Sequence, residues 1–429
     1  MPSSGPTISA GGARHRVTRV PGSSRSSPGA HRVGRRWRGV GESAAVALLI
    51  VLADIGPYLR GRSALALDTL TSNLPLKWLS IHQWGLGHLP TWDSSVGAGI
   101  PLLGDSIALP LDPRNLWFAL LGLADAYVAV LVTARVAGAL VCFWWLRRGH
   151  RFSFLGALAA TCSYFWGTMF IEEFRLHSTE VALAAFPAVV WLTERLLDRP
   201  RASRALALGC LWGLLALAGS VAYLVYLPVL AFAWGVTVWL GGPRDRDVLR
   251  RFVSRYLGSG AVGGALAAVA LLPTMEYLLV SSRGGEYTSD DFWARTVFYG
   301  LFGAHPAGPF VPHFSHFLYV GVVTLALAAV ACATRDTPHR RALPFLGAVS
   351  VLGIVSMLTP LKPLLVSALP VLATFPFFRV AFLPGLIAAY LAGSALSRAS
   401  WPPWSETRLA GAVAAALAAP PGGSRPATS

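Results

Sequence analysis

The most regular feature of the chain is a series of long apolar stretches separated by polar connections. Apolar runs of roughly 18 residues or more are long enough to cross a bilayer as helices. The stretches of this kind lie near 43–60, 116–146, 153–171, 178–197, 205–220, 222–241, 256–279, 316–334, 343–359 and 381–398. The pattern predicts an all-α, polytopic membrane protein with about ten transmembrane helices.

Two connections are much longer than the others and hold most of the acidic residues found between the stretches: 61–115 and 280–315. The first is too polar and too rich in Gly and Pro to cross the membrane itself. Within it, the segment 69–83 brings Leu70, Leu74, Trp78 and Ile81 near one helical face. This spacing predicts an amphipathic helix that lies in the membrane interface.

The composition agrees with a membrane protein. Of 429 residues, 54% are hydrophobic and 13% are charged, whereas soluble domains contain about 25% charged residues. The four cysteines, Cys142, Cys162, Cys210 and Cys332, all fall within apolar stretches. They show no CxxC or Cys/His spacing, so they are interpreted as small buried hydrophobes rather than zinc ligands or disulfides. No metal site is predicted from the residues.

The formal net charge of +16 raises the question of nucleic acid, but the charge is unevenly placed. Arginines are concentrated in residues 1–41, among Ser, Gly and Pro and without an apolar period. This composition is typical of a disordered basic tail, and beside a membrane such a tail contacts anionic lipid. The protein is therefore expected to bind membrane lipid and no nucleic acid.

The other basic clusters indicate the orientation of the chain. They occupy the connections near 147–151, 199–204, 244–251 and 335–341. Because positively charged connections stay in the cytoplasm, the N-terminus is predicted to be cytoplasmic and the loops 61–115 and 280–315 to be extracytoplasmic. Residues 42–400 then form the transmembrane domain, and 401–429 form a short, partly disordered C-terminal segment.

Asp68 is the main candidate for chemistry because it follows the first apolar stretch, where the chain leaves the membrane. A carboxylate there could act as a general base towards an acceptor hydroxyl. It could also bind a divalent cation that neutralises a phosphate leaving group. A solvated side chain, or a cap of the helix predicted at 69–83, would equally place an aspartate here.

Further candidates lie at the same predicted face. Ionisable groups, among them Glu172 and His177, crowd the short connection before the fourth stretch, which favours either a functional role or a solvated loop. Glu276 lies at the end of an apolar stretch. Arg283 and Arg379 are candidates for phosphate contact, because a guanidinium presents a planar fork of donors. Trp92 could stack on a sugar or belong to an interfacial aromatic belt.

Several short motifs, taken in order, resemble one family. They are Asp68 with Asn73-Leu-Pro75, the turn Gly87-His-Leu-Pro90-Thr-Trp92-Asp93, the turn Gly97-Ala-Gly99-Ile-Pro101, His177 with Pro187 and Glu194-Arg195, Pro273 with Glu276 and Ser282-Arg283, Tyr319-Val-Gly321, Phe375-Pro376 with Arg379, and Leu391-Ala-Gly393. The set covers roughly residues 43–398. It resembles the YfhO-type bacterial membrane proteins, which belong to the GT-C class of membrane glycosyltransferases.

The resemblance implies transfer of a sugar from a polyprenyl-phosphate donor to a cell-envelope glycan or protein, outside the bacterial cytoplasmic membrane. It makes Asp68 the catalytic base or the ligand of a divalent cation (Mg²⁺ or Mn²⁺), without requiring a cofactor. It makes Arg283 and Arg379 the candidates for the donor phosphate. Together with the residue patterns above, it leads to a predicted substrate-binding set of Glu172, His177, Glu276, Trp92 and Asp93. The alternatives are a non-enzymatic carrier or flippase for lipid-linked precursors, and an assembly factor that is a shortened, inactive member of the family.

Overall fold

The structure is a computed structural model that describes residues 28–59, 69–95, 99–167, 177–219, 221–280, 321–334 and 382–398. Within these residues the chain is helical. The described backbone contains no β-strand and pairs in extended form only at a single bridge, between Asp93 and Ile100. The all-α prediction is therefore confirmed for the described part of the chain.

The described helices follow one another in chain order. They are α1 (Pro28–Leu59), α2 (Leu74–Gly85), α3 (Leu116–Leu120), α4 (Leu123–Trp144), α5 (Phe154–Phe165), α6 (His177–Asp198), α7 (Ala202–Ala218), α8 (Val221–Gly241), α9 (Arg246–Val280), α10 (Val322–Ala333) and α11 (Phe382–Arg398). A π-helical turn, Thr69–Asn73, precedes α2, and another, Trp145–Gly149, continues α4.

Among the described residues, three helical segments are long and apolar enough to cross a membrane: Leu123–Gly149, Tyr223–Gly241 and Arg246–Tyr277. Helices α5, α7 and α10 are apolar but shorter. A helix satisfies its own backbone hydrogen bonds, which is why apolar segments adopt it in lipid. The described residues thus contain three candidate membrane-spanning helices, which agrees with a helical membrane protein. The predicted number of spans stays a prediction, and one of them, 343–359, lies outside the described residues.

Two element boundaries differ from the sequence prediction. The apolar stretch 116–146 contains the short helix α3, a break with extended backbone at Leu121, and α4 from Leu123 onward. Gly122 adopts an extended conformation at the N-cap of α4, which separates the two helices. The predicted interfacial helix begins as a π-helical turn and becomes α-helical only at Leu74.

Contacts within the chain divide it into two units, Met1–Ser43 and Ala44–Ser429. Helix α1 starts at Pro28, so residues 28–41 of the predicted disordered tail are helical. This corrects the prediction for that part of the tail. Proline suits the first turn of a helix, and arginine is a good helix former, which accounts for helix in this segment. Residues 1–27 and 401–429 lie outside the described residues.

The core of the second unit is built from α4, α5, α6, α8 and α11, with further buried residues from α1, α7 and α9. Its largest fully buried aromatic side chains are Tyr127, Phe143, Trp145, Phe165, Phe186, Tyr223, Phe252 and Phe382. Helices α7 and α9 pack closely because small residues face each other: a side chain added at Gly263 would lie 2.5 Å from Cβ of Trp212. Small residues at such crossings let helix backbones approach in membranes.

Candidate functional site

Helix α2 of the first loop has one exposed side and one buried side. Leu70 and Trp78 are 49% and 47% exposed, whereas Lys77 and Ser80 on the other side are buried. The predicted apolar face therefore points away from the protein, as expected for a helix in the membrane interface. The polar side of α2 provides the contacts that hold the loop together.

Lys77 is the central anchor of this loop. Its side chain is fully buried, and Nζ donates hydrogen bonds to the carbonyl oxygens of Ala108 at 3.1 Å and Leu109 at 3.0 Å. Burial lowers the pKa of Lys77 to about 8, because desolvation penalises the charged amine; the nearby charge of Asp112 opposes this shift and that of Arg114 adds to it. The amine ties α2 to the end of the loop.

Asp112 and Arg114 form the second anchor. Arg114 Nε and Nη2 donate to the two carboxylate oxygens of Asp112 at 3.0 and 2.7 Å, and the Arg114 amide caps the same carboxylate at 2.9 Å. Arg114 Nη2 also donates to the carbonyl of Ala218, at the end of α7, at 3.1 Å. A fork-shaped guanidinium thus fastens the loop to a membrane helix.

The turn that carries Trp92 and Asp93 is held by its backbone. Asp93 and Ile100 exchange two hydrogen bonds of 2.9 and 2.8 Å, and the Asp93 carboxylate accepts from the amide and the hydroxyl of Ser95. The hydrogen bonds from Ser95 lower the pKa of Asp93. Trp92 is 54% exposed, and its ring covers Gly99, whose φ of +103° and lack of a side chain both suit this contact.

The loop lies against α7 and α9 and leaves a crevice there. Its cavity volume is about 10 Å³, which is room for roughly one water molecule. The wall is mostly apolar, with Leu103, Leu109 and Pro110 from the loop and Leu217 and Leu271 from the helices, while Asp105, Ser106 and Thr274 supply polar atoms. The backbone of Gly104 approaches the carbonyl of Pro273 so closely that an added Cβ would lie 2.7 Å from it.

A buried ion cluster lies deeper in the bundle, between α1, α4 and α6. Arg135 Nη1 donates to Asp54 Oδ1 at 2.8 Å, and its Nε and Nη2 donate to Glu180 Oε1 and Oε2 at 2.9 and 3.5 Å. The side chains of Asp54, Arg135 and Glu180 are 5%, 3% and 0% exposed. Ionisable groups at such depth are functional candidates by default.

The loop and the buried ion cluster are electrostatically linked. Arg114 is close enough to Glu180 for their charges to interact, and Lys77 interacts in the same way with Asp112 and Arg114. The resulting row of charges alternates in sign from each residue to the next. In order it contains Lys77, Asp112, Arg114, Glu180, Arg135 and Asp54.

A third polar cluster surrounds Glu194, near the end of α4 that is remote from the first loop. The carboxylate accepts from the indole N–H groups of Trp145 and Trp234, each at 2.9 Å, and lies 3.3 Å from Nε2 of His150. The other ring nitrogen of His150 lies 3.1 Å from the Tyr390 hydroxyl. The cluster therefore has a structural role. Its hydrogen bonds join the end of α4 to α6, α8 and α11.

The structure places only some of the predicted site residues. Trp92 and Asp93 share the loop turn, and Glu276 is exposed on α9, two residues beyond Thr274 of the crevice. His177 is the first residue of α6. The remaining candidates, Asp68, Glu172, Arg283 and Arg379, lie outside the described residues. A common cavity for them stays a prediction.

Sequence reasoning missed the buried residues of the row of charges. Asp54 and Arg135 each interrupt an apolar stretch, which is a readable signal because charge is costly there. The signal for Lys77 is its rarity. Only two of the 36 Lys and Arg residues are lysines, Lys77 and Lys362, and a residue type that the chain otherwise avoids indicates a specific role. Across the described residues, no three His, Cys, Asp or Glu side chains are grouped to hold a metal ion.

No model of a known protein family matches this chain, and no curated protein sequence matches it. The functional assignment consequently depends on the residues and their arrangement.

Proposed function

We propose that this protein is a membrane glycosyltransferase of the GT-C class, with about ten spans, a cytoplasmic N-terminus and a site on the extracytoplasmic face of the bacterial cytoplasmic membrane. The observation that carries the proposal is the anchored first loop. Lys77, Asp112 and Arg114 hold it against the helices. Its described part begins at Thr69, directly after Asp68. A rigidly held loop is what a catalytic side chain needs, because accurate positioning lowers the barrier to reaction.

In the proposed reaction, an acceptor hydroxyl of the cell envelope attacks the anomeric carbon of a polyprenyl-phosphate-linked sugar. The new glycosidic C–O bond forms as the bond from the sugar to the phosphate oxygen breaks. Asp68 takes the hydroxyl proton, and polyprenyl phosphate leaves with the electron pair. Arg283 and Arg379 stabilise the negative charge on the phosphate. A divalent cation, Mg²⁺ or Mn²⁺, would supply further charge stabilisation if Asp68 binds one.

The remaining candidates are assigned to substrate binding. Within the first loop this assignment is supported by polar side chains, those of Asp105 and Ser106, which lie beside apolar ones at the contact with α7 and α9. Trp92 is exposed in the same loop and offers an aromatic face for a sugar. Asp93, Glu276, Glu172 and His177 are assigned to the hydroxyl groups of donor and acceptor.

A carrier of lipid-linked precursors is the second candidate function. The observation that favours it is the buried cluster of Asp54, Arg135 and Glu180, since ionisable side chains inside a bundle are typical of transport pathways. In this alternative the protein moves the lipid across the membrane and breaks no bond.

The test uses the full-length protein in lipid vesicles with a radiolabelled polyprenyl-phosphate sugar and a cell-envelope acceptor fraction. Asp68→Asn should lower transfer by roughly 10²–10⁴-fold, the contribution of a general base. Asp125→Asn, at an exposed aspartate of the same predicted face, is the matched control and should keep full activity. Full transfer by Asp68→Asn contradicts the assignment, and lipid translocation without sugar turnover identifies the carrier.

A further inference from the structure

Two arginine–tryptophan pairs lie at the C-terminal ends of α4 and α6, and none of their residues is assigned to glycosyl transfer. The guanidinium carbon of Arg148 lies 4.0 Å from the ring centroid of Trp144, and that of Arg195 lies 5.5 Å from the ring centroid of Trp191. In each pair the residues are four positions apart, so helical geometry brings them together. Stacking on an indole holds a guanidinium in place, while the N–H groups around its edge stay available as donors.

The two pairs are neighbours in space. Gly149 directly follows Arg148 and packs against Trp191, since a Cβ added at this glycine would lie 3.8 Å from the indole Nε1. Arg195 stacks on that same indole. The fold thus brings together two arginines that are far apart in the sequence.

Arginines far outnumber acids at these two helix ends. Residues 144–151 and 191–204 contain seven arginines, and their acids are Glu194 and Asp198. Glu194 is taken up by two indole N–H groups and a histidine, and Asp198 is shared among three arginines. Each helix dipole adds about half a negative charge at its C-terminal end. Even with both dipoles included, the positive charge is in excess.

The guanidinium groups of Arg148 and Arg195 are available to a ligand. Both residues are exposed. Within the described part of the chain, neither guanidinium forms an ion pair or donates a hydrogen bond. Two fixed, planar groups of donors match the oxygen atoms of a phosphate group.

The location of the pairs indicates a lipid as the carrier of that phosphate. Gly149 is the last residue of the candidate span Leu123–Gly149, so the pairs lie where an apolar helix would leave the membrane. Trp144 and Trp191 are partly exposed there. Indole rings and the long arginine side chain both favour the level of the lipid headgroups.

We propose that Arg148 and Arg195, stacked on Trp144 and Trp191, form a binding site for the phosphate group of an anionic phospholipid. The guanidinium N–H groups donate to the phosphate oxygens, and the acyl chains extend into the bilayer beside the helices. The other arginines of these helix ends contribute attraction without a fixed contact. The site does not depend on the proposed glycosyl transfer.

Native mass spectrometry of the full-length protein, freed of lipid in detergent, measures this binding. Phosphatidylglycerol should bind more tightly than phosphatidylcholine, whose headgroup has no net charge. Equal affinities for the two lipids overturn the proposal. Displacement of phosphatidylglycerol by an equal concentration of inorganic phosphate would assign the site to a soluble anion and would also overturn it.

A double variant locates the site. Arg148→Gln combined with Arg195→Gln should lower the affinity for phosphatidylglycerol by roughly 30-fold, the effect of two basic residues at an anionic surface. The matched control, Arg250→Gln combined with Arg255→Gln, removes the same charge from exposed positions of α9 and should keep the wild-type affinity. Equal losses in the two double variants would indicate a diffuse charge effect and contradict a discrete site.

The single variant Arg148→Gln keeps the test decisive if the double variant does not fold. Because Arg148 is exposed, we expect this variant to fold as the wild type does. Its affinity for phosphatidylglycerol should fall roughly fivefold. An unchanged affinity in this folded variant rules out the site.

Discussion

Lys77 holds the first loop in place, although burial of its charged amine is unfavourable. Its amine satisfies the carbonyl groups of Ala108 and Leu109, which lie 31 and 32 residues further along the chain. The same burial makes its positive charge unfavourable. Lysine releases its proton more readily than arginine, so this anchor is sensitive to pH in a way that the Arg114 anchor is not.

We expect the stability of the protein to rise with pH through the window set by Lys77. The ordinary pKa of the amine, 10.5, falls to about 8 in the folded protein. Between these values the unfolded state binds more protons, so the free energy of unfolding increases with pH, by on the order of 3 kcal/mol for this group. Unfolding in detergent, followed at a series of pH values from 7 to 10.5, measures the effect.

Lys77→Gln is the matched variant, because glutamine keeps an N–H donor but does not titrate. Its stability should lack the part of the pH dependence that belongs to the amine. Other titrating groups are common to both proteins and cancel in the comparison. Identical pH profiles for the two proteins would show that Lys77 is solvated.

Arg135 is the counterpart of Lys77 inside the bundle. A guanidinium keeps its charge when buried and can donate to two acids at once, as it does to Asp54 and Glu180. The sequence shows each of these charges within or beside an apolar stretch. It does not show that they meet, because the separation along the chain between Arg135 and Asp54 is 81 residues.

At the scale of elements, the first loop is a docked unit whose position depends on α7. Arg114 connects the two, because it neutralises Asp112, which is 2% exposed, and donates to the carbonyl of Ala218. Trp84 of α2 adds a hydrogen bond to the carbonyl of Pro110 at 2.9 Å. The helix α2 and the segment 108–115 are thus held as one body.

Arg114→Gln should loosen this loop. It leaves Asp112 as a buried carboxylate without its ion-pair partner, a change that costs about 3 to 5 kcal/mol. Hydrogen exchange measured by mass spectrometry should show faster exchange in peptides from 105–115 and little change in the other peptides. Arg250→Gln, at an exposed arginine of α9, is the control and should exchange as the wild type does. Unchanged protection of 105–115 in Arg114→Gln would mean that the ion pair does not hold the loop.

At the scale of the whole molecule, one long helix makes the proposed orientation in the membrane testable. The apolar segment Leu123–Gly149 has 27 residues, and at a rise of about 1.5 Å per residue it spans a bilayer. In the proposed topology, the first loop and the basic residues Arg147, Arg148 and Arg151 lie on opposite sides of the membrane. The excess of arginine in the connection near 147–151 favours the cytoplasm for it.

Cysteine labelling checks this orientation in intact cells. In a variant without the native cysteines, Ser94→Cys in the first loop should react with a membrane-impermeant maleimide. Arg148→Cys should react only after the cells are permeabilised. Both positions are exposed, so a failure to react reports the side of the membrane rather than burial. The reverse labelling pattern would invert the proposed topology.

The sequence alone determined the helical class and the apolar segments near Leu123–Trp144, Val221–Gly241 and Arg246–Val280. It did so because a membrane helix satisfies its own backbone and needs only an apolar surface, and both properties are local. The exposed apolar side of α2 was predictable for the same reason. Local rules were less reliable at boundaries, as the break at Leu121 and the helix from Pro28 show.

The tertiary structure decided which polar residues act together. The contacts of Lys77 with Ala108 and Leu109, of Arg114 with Ala218, and of Arg135 with Asp54 and Glu180 join residues that are 31 to 104 positions apart. Composition and periodicity contain no information about such pairs. They arise because a buried charge must find a partner, and the packing of the helices determines which partner is within reach.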